Sequence, residues 1–193
     1  MITSKKEYLH YLEQDRMALG IKKPTLKNKV MSIIAPNHIH KFQRLLRKKE
    51  YYLNCKKGIF HKIQYLFIKL RFRRISLKLG FSIPENVFGP GLAIVHYGTI
   101  VINRNAKIGK NCRIHACTNI GASGGSKKAP IIGDNVYIGP GAKIYGNITI
   151  GSNNAIGANA TVFKTFEESG VMIAGNPASV IKEIDIKRII KHL

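Results

Sequence analysis

The chain has 193 residues, with 32 Lys and Arg against 10 Asp and Glu, and three cysteines. That length supports a substantial core, the odd cysteine count agrees with a reducing compartment, and no run of about 18 uncharged apolar residues offers a membrane span. Acidic and polar side chains from Met1 to Gly20 take the place of a signal peptide's apolar run, so the sequence reads as cytoplasmic.

Charge divides the chain. Residues 1–80 hold 20 Lys and Arg against 4 Asp and Glu, and residues 81–193 hold 12 against 6. The N-terminal part therefore faces an anion. Its first predicted helix, Glu7 to Leu19, carries a narrow stripe of Tyr8, Leu12 and Leu19; Lys22 to Lys29 with Pro24 reads as a linker. A second helix is predicted from Ile39 to Asn54, with Phe42, Leu45, Leu46 and Leu53 opposite Lys41, Arg44, Arg47, Lys48 and Lys49.

A third runs from Ile59 to about Leu79 with Ile59, Ile63, Leu66, Phe67 and Leu70 at helical spacing, and Lys62, Lys69, Arg71, Arg73, Arg74 and Lys78 around them. Two readings stay open for it. One packs that stripe on the rest of the fold with its charges in water. The other lays a basic amphipathic helix on an anionic membrane or brings it to an anionic glycan carrier.

After Gly80 the helical pattern stops and a period of six begins. Phe88, Ile94, Ile102, Ile108, Ile114, Ile120, Ile132, Ile138, Ile144, Ile150, Ile156 and Val162 mark it, commonly with Gly behind and a small residue four places on: Ala106, Cys112, Thr118, Ala142, Ala160. Six fits neither a helix nor a simple strand, and a repeat of this length predicts short strands and corners, three to a coil, stacked as a parallel β-helix. Two places break the period. The step from Ile94 to Ile102 is eight, which pushes Val95-His96-Tyr97-Gly98-Thr99 out of the wall. Between Ile120 and Ile132 an aliphatic is missing, and Ala122 to Pro130 forms an excursion loop rich in Gly and Ser. Phe163 to Gly170 reads as a loop, Val171 to Ala178 as a last extended turn, and Val180 to Leu193 as a short amphipathic helix capping the open end of the stack.

Cys112, His115 and Cys117 could suggest a metal site, but zinc asks for four ligands at known spacings, and interior filling explains Cys112 better. No metal is expected.

The repeat, His96-Tyr97-Gly98-Thr99, Ile120-Gly121-Ala122 with its loop, Ile138-Gly139-Pro140-Gly141-Ala142-Lys143-Ile144 and Ala174-Gly175-Asn176-Pro177-Ala178 together resemble the hexapeptide acyltransferases. Within them the chain resembles most the serine acetyltransferase-like O-acetyltransferases, including those of capsule and exopolysaccharide synthesis. The likeness covers roughly residues 80–184. It implies a left-handed helix, a mainly β fold divided into a basic helical region (1–80), an acyltransferase domain (81–178) and a C-terminal helical cap (179–193), and a homotrimer with active sites between subunits. Acetyl-CoA is the implied co-substrate and a hydroxylated acceptor, a sugar of a cell-surface polysaccharide or its precursor, the implied partner. The basic region then suits peripheral contact with the inner face of an anionic membrane. Nucleic acid is not expected.

The resemblance also distributes roles. His96 matches the catalytic histidine, a general base whose ordinary pKa near 6.5 suits taking a proton from a hydroxyl and returning it to a thiolate. Gly121 and Ala122 mark the oxyanion and thioester region. Pro140 and Ala158 line the coenzyme groove, with Phe163, Lys164 and Lys182 towards the phosphates; Lys127 and Lys128 in the loop stay between anion steering and plain solvation. Outside the resemblance, Glu85, Tyr97 and His115 are acceptor-cleft candidates, Glu85 also as an orienter of His96, and His115 stays open between the cleft and a surface or subunit contact. Serine-specific members carry carboxylates where this chain has Val95 and Phe81, and an Arg-His pair where it has Lys128-Ala129, which disfavours L-serine. Serine O-acetylation is the alternative within the fold, and a basic membrane- or nucleic-acid-binding scaffold the alternative outside it.

Overall fold

The computed structural model describes residues 1–23 and 36–193. Beyond its first two residues, the linker expected at Lys22 to Lys29 lies outside them. Among the described residues three helices precede the repeat: α1 (Lys5–Ala18), α2 (His38–Cys55) and α3 (Ile59–Leu79). Ser4 caps α1 by accepting from the Glu7 N–H, Asn37 caps α2 by accepting from the His40 N–H, and Gly80, at φ +76°, ends α3 in the left-handed region.

The period of six then becomes a three-sided prism. Its strands are β1 (Phe81–Ser82), β2 (Ala93–Ile94), β3 (Ile100–Ile102), β4 (Lys107–Ile108), β5 (Arg113–Ile114), β6 (Asn119–Gly121), β7 (Ile131–Ile132), β8 (Tyr137–Ile138), β9 (Lys143–Tyr145), β10 (Thr149–Ile150), β11 (Ala155–Ile156), β12 (Thr161–Val162), β13 (Val171–Gly175) and β14 (Ala178–Glu183). Parallel pairing stacks β1-β3-β6-β9-β12 as a first wall, β4-β7-β10 as a second, and β2-β5-β8-β11-β13 as a third. The in-register rows are the sixth-position aliphatics themselves: Ile102, Ile120, Ile144 and Val162; Ile108, Ile132 and Ile150; Ile94, Ile114, Ile138, Ile156 and Ile173. None is more than 4% exposed, and burying each contributes about 1.5–3 kcal/mol. The small residues at 106, 112, 118, 142 and 160 are buried beside them.

One corner carries a device that the aliphatic register does not reveal. Asn111, Asn135 and Asn153 all sit at φ near +60° and hand hydrogen bonds down the stack, Asn111 Nδ2 to Asn135 Oδ1 and Asn135 Nδ2 to Asn153 Oδ1, each 2.8 Å. Asparagine tolerates the left-handed corner, and here its amide also joins successive coils.

The helices close the first coil, and they do so with charged and polar groups. Gln43 donates to the Leu92 carbonyl (2.6 Å) and accepts from the Ile94 N–H, so one side chain stands in for a missing strand. Asp15 accepts from the Gly91 and Leu92 N–H groups, Glu50 from the Asn86 N–H, and Arg47 donates to the Phe88 and Gly89 carbonyls. Arg47 is bracketed by Asp15 and Glu50 at 2.8 and 3.1 Å. Burial opposes its charge, but the two carboxylates outweigh burial and hold the guanidinium above its usual range.

These contacts correct three expectations. Arg47 and Lys49, set opposite the apolar face of their helix, are buried, because Asp15, Glu50 and Glu85 neutralise them there. In α1 the buried face is Tyr11, Asp15 and Ala18 rather than Tyr8, Leu12 and Leu19, since the first coil needs a carboxylate acceptor at that point. In α3 the core takes Ile68, Phe72, Ile75 and Leu79, and the stripe from Ile59 to Leu70 faces out.

The C-terminal segment also departs from expectation. The β-branched Val180 and Ile181 lie in β14, which pairs antiparallel with β13 across a turn at a cis Asn176–Pro177 bond. A helix from Val180 is replaced by that strand and by one 3-10 turn, Ile186–Arg188. Ile186 and Ile190 then pack on Ala155 against the outside of the third wall. It is β14, not a helix, that covers the end of that wall, so the boundary expected at Ala178/Ser179 falls inside a strand.

Candidate functional site

The two breaks in the period lie on different corners. The corner between the third and first walls is made by residues 95–99, 115–118, 139–142 and 157–160 of successive coils, and it carries His96, Tyr97, His115, Pro140 and Ala158 in one column. The corner between the first and second walls follows β6, β9 and β12 and carries Ala122, the excursion loop, Phe163 and Lys164. Gly121 ends β6 beside it, and Tyr145 stacks on Phe163 there at 5.8 Å between centroids.

The bulge at His96 is held from below and above. The Gly98 N–H bonds to the Leu79 carbonyl at 3.0 Å and the Ile100 N–H to the Gly80 carbonyl at 3.1 Å, which tethers the bulge to the end of α3. A Cβ on Gly98, at φ +130°, would come within 3.2 Å of Ala116 Cβ in the next coil. The strand hydrogen bonds of the wall resume only at Ile100, so His96 and Tyr97 project outward, and both are exposed.

His96 has an imidazole neighbour. Its ring centroid is 5.9 Å from that of His115, and His115 in turn lies edge-on to Tyr137 at 5.1 Å. His115 Nε2 is buried without a hydrogen-bond partner among the described residues. Burial first, and then Arg113 and His96, hold the His115 imidazole below its usual range. A neutral ring with a free nitrogen beside an exposed imidazole can accept from, or donate to, a hydroxyl compound brought to this corner.

Glu85 stands elsewhere. It lies between β1 and the start of the second wall, paired with Lys49 Nζ at 2.5 Å. Burial works against its charge, but the Lys49 ammonium outweighs that and keeps it ionised. A single chain therefore does not bring Glu85 to His96, and its partner is structural.

The coenzyme candidates divide likewise. Pro140 and Ala158 are exposed on the histidine corner, and with Gly141 between strands they leave a shallow, side-chain-poor column. Gly141, at φ +76°, has no alternative: a Cβ there would meet Asn159 Oδ1 at 1.9 Å. Phe163 and Lys164 stand on the other corner, one wall away, on the order of 15 Å for a five-residue span. Lys182 is on neither; it lines a cleft of about 1050 Å³ with Arg188, Glu183 and Asp185 beside β13. One chain thus supplies the parts on separate surfaces. Lys127 and Lys128 are exposed in the loop, whose tip is fixed by Asn105 Nδ2 donating to the Lys127 carbonyl.

Nothing at this corner is arranged as metal ligands. Burial pushes the Cys112 thiol up to about 12, and its side chain fills the interior, while Cys117 sits on the outer corner. Among the described residues no three His, Cys, Asp or Glu side chains gather for an ion.

Residues 129–164 match the family model described as bacterial transferase hexapeptide (six repeats). The serine acetyltransferase of Mycobacterium tuberculosis (strain ATCC 25618 / H37Rv) is 41% identical over 100 residues, which cover 51% of this chain and 43% of that protein. The serine acetyltransferase of Staphylococcus xylosus is 35% identical over 128 residues, covering 65% of this chain and 59% of that one. The chain thus spans about half the length of the curated relatives it matches. The crystal structure of serine acetyltransferase from Brucella abortus strain S19 superposes with a TM-score of 0.71 at 26% identity, covering 93% of this chain and 71% of that one. The same protein in complex with coenzyme A gives 0.67, with 93% and 70% covered. The chain carries the bacterial transferase hexapeptide repeat, and its fold is the left-handed parallel β-helix with a helical N-terminal region.

Proposed function

We propose that this chain is an acetyl-CoA-dependent O-acetyltransferase in which His96 is the general base. The observation that carries the reading is the His96 bulge: an exposed imidazole pushed out of a regular wall, beside His115, at the head of a column of small residues. The hydroxyl oxygen of the acceptor attacks the thioester carbonyl, His96 takes the hydroxyl proton, the C–S bond breaks, and the same proton passes to the departing sulfur. Backbone N–H groups around Gly121 and Ala122 suit the oxyanion, and Lys164 and Lys182 the coenzyme's phosphates. Because Gly121, Ala122 and Lys164 lie one wall away from His96 and Lys182 lies on neither corner, the site needs a neighbouring copy to supply them, which supports a homotrimer with clefts between subunits.

Two acceptor readings follow. L-serine is supported by the names of the relatives. A sugar hydroxyl of a cell-surface polysaccharide or its precursor is favoured by a specific observation: Phe81 is buried against Phe42 at 5.0 Å, and Val95 is apolar, so neither position offers a carboxylate to an ammonium group. Release of coenzyme A thiol by the purified chain, measured with L-serine and with a panel of sugars and nucleotide sugars, tests both. Acceptor-dependent release supports acetyl transfer and names the class; release that no hydroxyl compound accelerates sinks it.

A further inference from the structure

The outward face of α3 is a large apolar surface that nothing among the described residues covers. Ile59, Phe60, Ile63, Leu66, Phe67 and Leu70 are between 47% and 78% exposed. They are opposite the face that enters the core through Ile68, Phe72, Ile75 and Leu79. Twelve residues of helix make this stripe about 18 Å long. An exposed patch of this kind marks an interaction site rather than chance exposure.

Charge selects the occupant. At about 100° per residue, Lys62, Lys69 and Arg73 fall along one edge of the stripe and Arg71 and Lys78 along the other, while Arg74 follows Leu70 on the line of the stripe itself; all six are exposed. The helix contains no Asp or Glu. Two copies laid together along this face would bring twelve cations together with no carboxylate on either helix to offset them, and like-charge contact disfavours that arrangement. An apolar strip between two rows of cations is instead the pattern of a helix lying in a membrane interface, with its apolar residues among the acyl chains and its cations at anionic headgroups. The N-terminal region as a whole carries the same sign, with 20 Lys and Arg against 4 Asp and Glu in residues 1–80.

We infer that the Ile59–Leu79 helix docks this protein on an anionic lipid surface through the face formed by Phe60, Phe67 and their neighbours, independently of the chemistry at His96.

Vesicle flotation of the full chain tests this, with phosphatidylcholine alone and with roughly a third anionic phosphatidylglycerol, at about 0.1 M salt. The chain should float with the anionic vesicles and stay behind with the neutral ones. Phe60→Ser with Phe67→Ser should lower partitioning by roughly 100-fold through lost apolar burial. Arg71→Gln, Arg73→Gln and Arg74→Gln together should lower it by on the order of 100-fold, at about fivefold per charge. All five side chains are solvent-exposed, so unchanged circular dichroism and thermal transitions are expected for both variants and separate lost docking from lost folding. Absence of flotation with anionic vesicles, or flotation that both variants retain, overturns the inference. So does a wild-type chain that ignores vesicles but loses an oligomeric state when Phe60 and Phe67 become Ser, since the face then belongs to a second copy.

Discussion

Replacing Arg47 by Met is the sharpest test of how the helices are joined to the repeat. The guanidinium is fully buried and makes five contacts: Nε and Nη2 to Asp15 at 2.8 and 3.2 Å, Nη1 to Glu50 at 3.1 Å, and the Phe88 and Gly89 carbonyls at 3.0 and 2.7 Å. Its cation also lies 4.8 Å over the Tyr11 ring. Methionine fills much of the volume but takes the guanidinium's cation and hydrogen bonds away from two buried carboxylates and two carbonyls. Removing one partner of a buried pair costs about 3–5 kcal/mol. Asp15 keeps the Gly91 and Leu92 N–H groups and Glu50 keeps that of Asn86, which argues for the middle of that range. About 4 kcal/mol corresponds to a Tm drop of roughly 8–16 °C for a chain of this size. Denaturant and thermal unfolding of the full chain measure it. A double-mutant cycle with Asp15→Asn should show that the two losses are not additive. A loss below about 1 kcal/mol would refute the idea that this network closes the first coil.

Further outcomes follow from the site and the corners. Charge removal at Lys164 and Lys182 should raise KM for acetyl-CoA well above any change in KM for the acceptor; movement of the acceptor constant alone contradicts the phosphate assignment. Gly141→Ala should destabilise by roughly 1–3 kcal/mol in denaturant unfolding, because φ is +76° and Asn159 Oδ1 occupies the Cβ position; no loss means the corner relaxes. His115, His192 and His40 are all held below the ordinary imidazole range by burial first, aided by Arg113 at the first two and by Arg44 at the third. A folded value below the unfolded one means the unfolded chain binds the extra proton, so their contribution is present above about pH 6.5 and is lost as pH falls through the folded values. Denaturant midpoints should therefore decline on acidification across that window, less steeply in His115→Gln, and a midpoint that rises contradicts the sign.

The interior of the prism was legible because each coil buries the same face, so a sixth-position aliphatic predicts its own burial and its partners. The same logic exposed the His96 bulge and the loop after Ala122, as departures from that register. The Asn111, Asn135 and Asn153 ladder was missed although its signal is present, three places after Ile108, Ile132 and Ile150. Attention to a corner row as well as an interior row finds it. Arg47 and Lys49 were misplaced for a different reason: besides Glu50 on the same helix, their neutralising partners Asp15 and Glu85 are 32 and 36 residues away, and a helical wheel sees only its own helix. In α3 both faces are apolar, so periodicity alone could not decide which one the core takes. The C-terminal helix failed because its isoleucines fit a helical spacing, while the otherwise unpaired edge of β13 pairs with Ala178, Ser179, Val180, Lys182 and Glu183 and draws that segment into a strand.

Acetyl transfer by a His96→Ala variant tests the central claim most directly. The ring is exposed and contributes little to the core, so the variant should fold and bind acetyl-CoA like the parent chain. With the acceptor that supports thiol release in the parent chain, turnover should fall by roughly 10²- to 10⁴-fold, the usual worth of a positioned general base. A folded variant that releases thiol at a near-parental rate would contradict His96 as the base and move that role to His115.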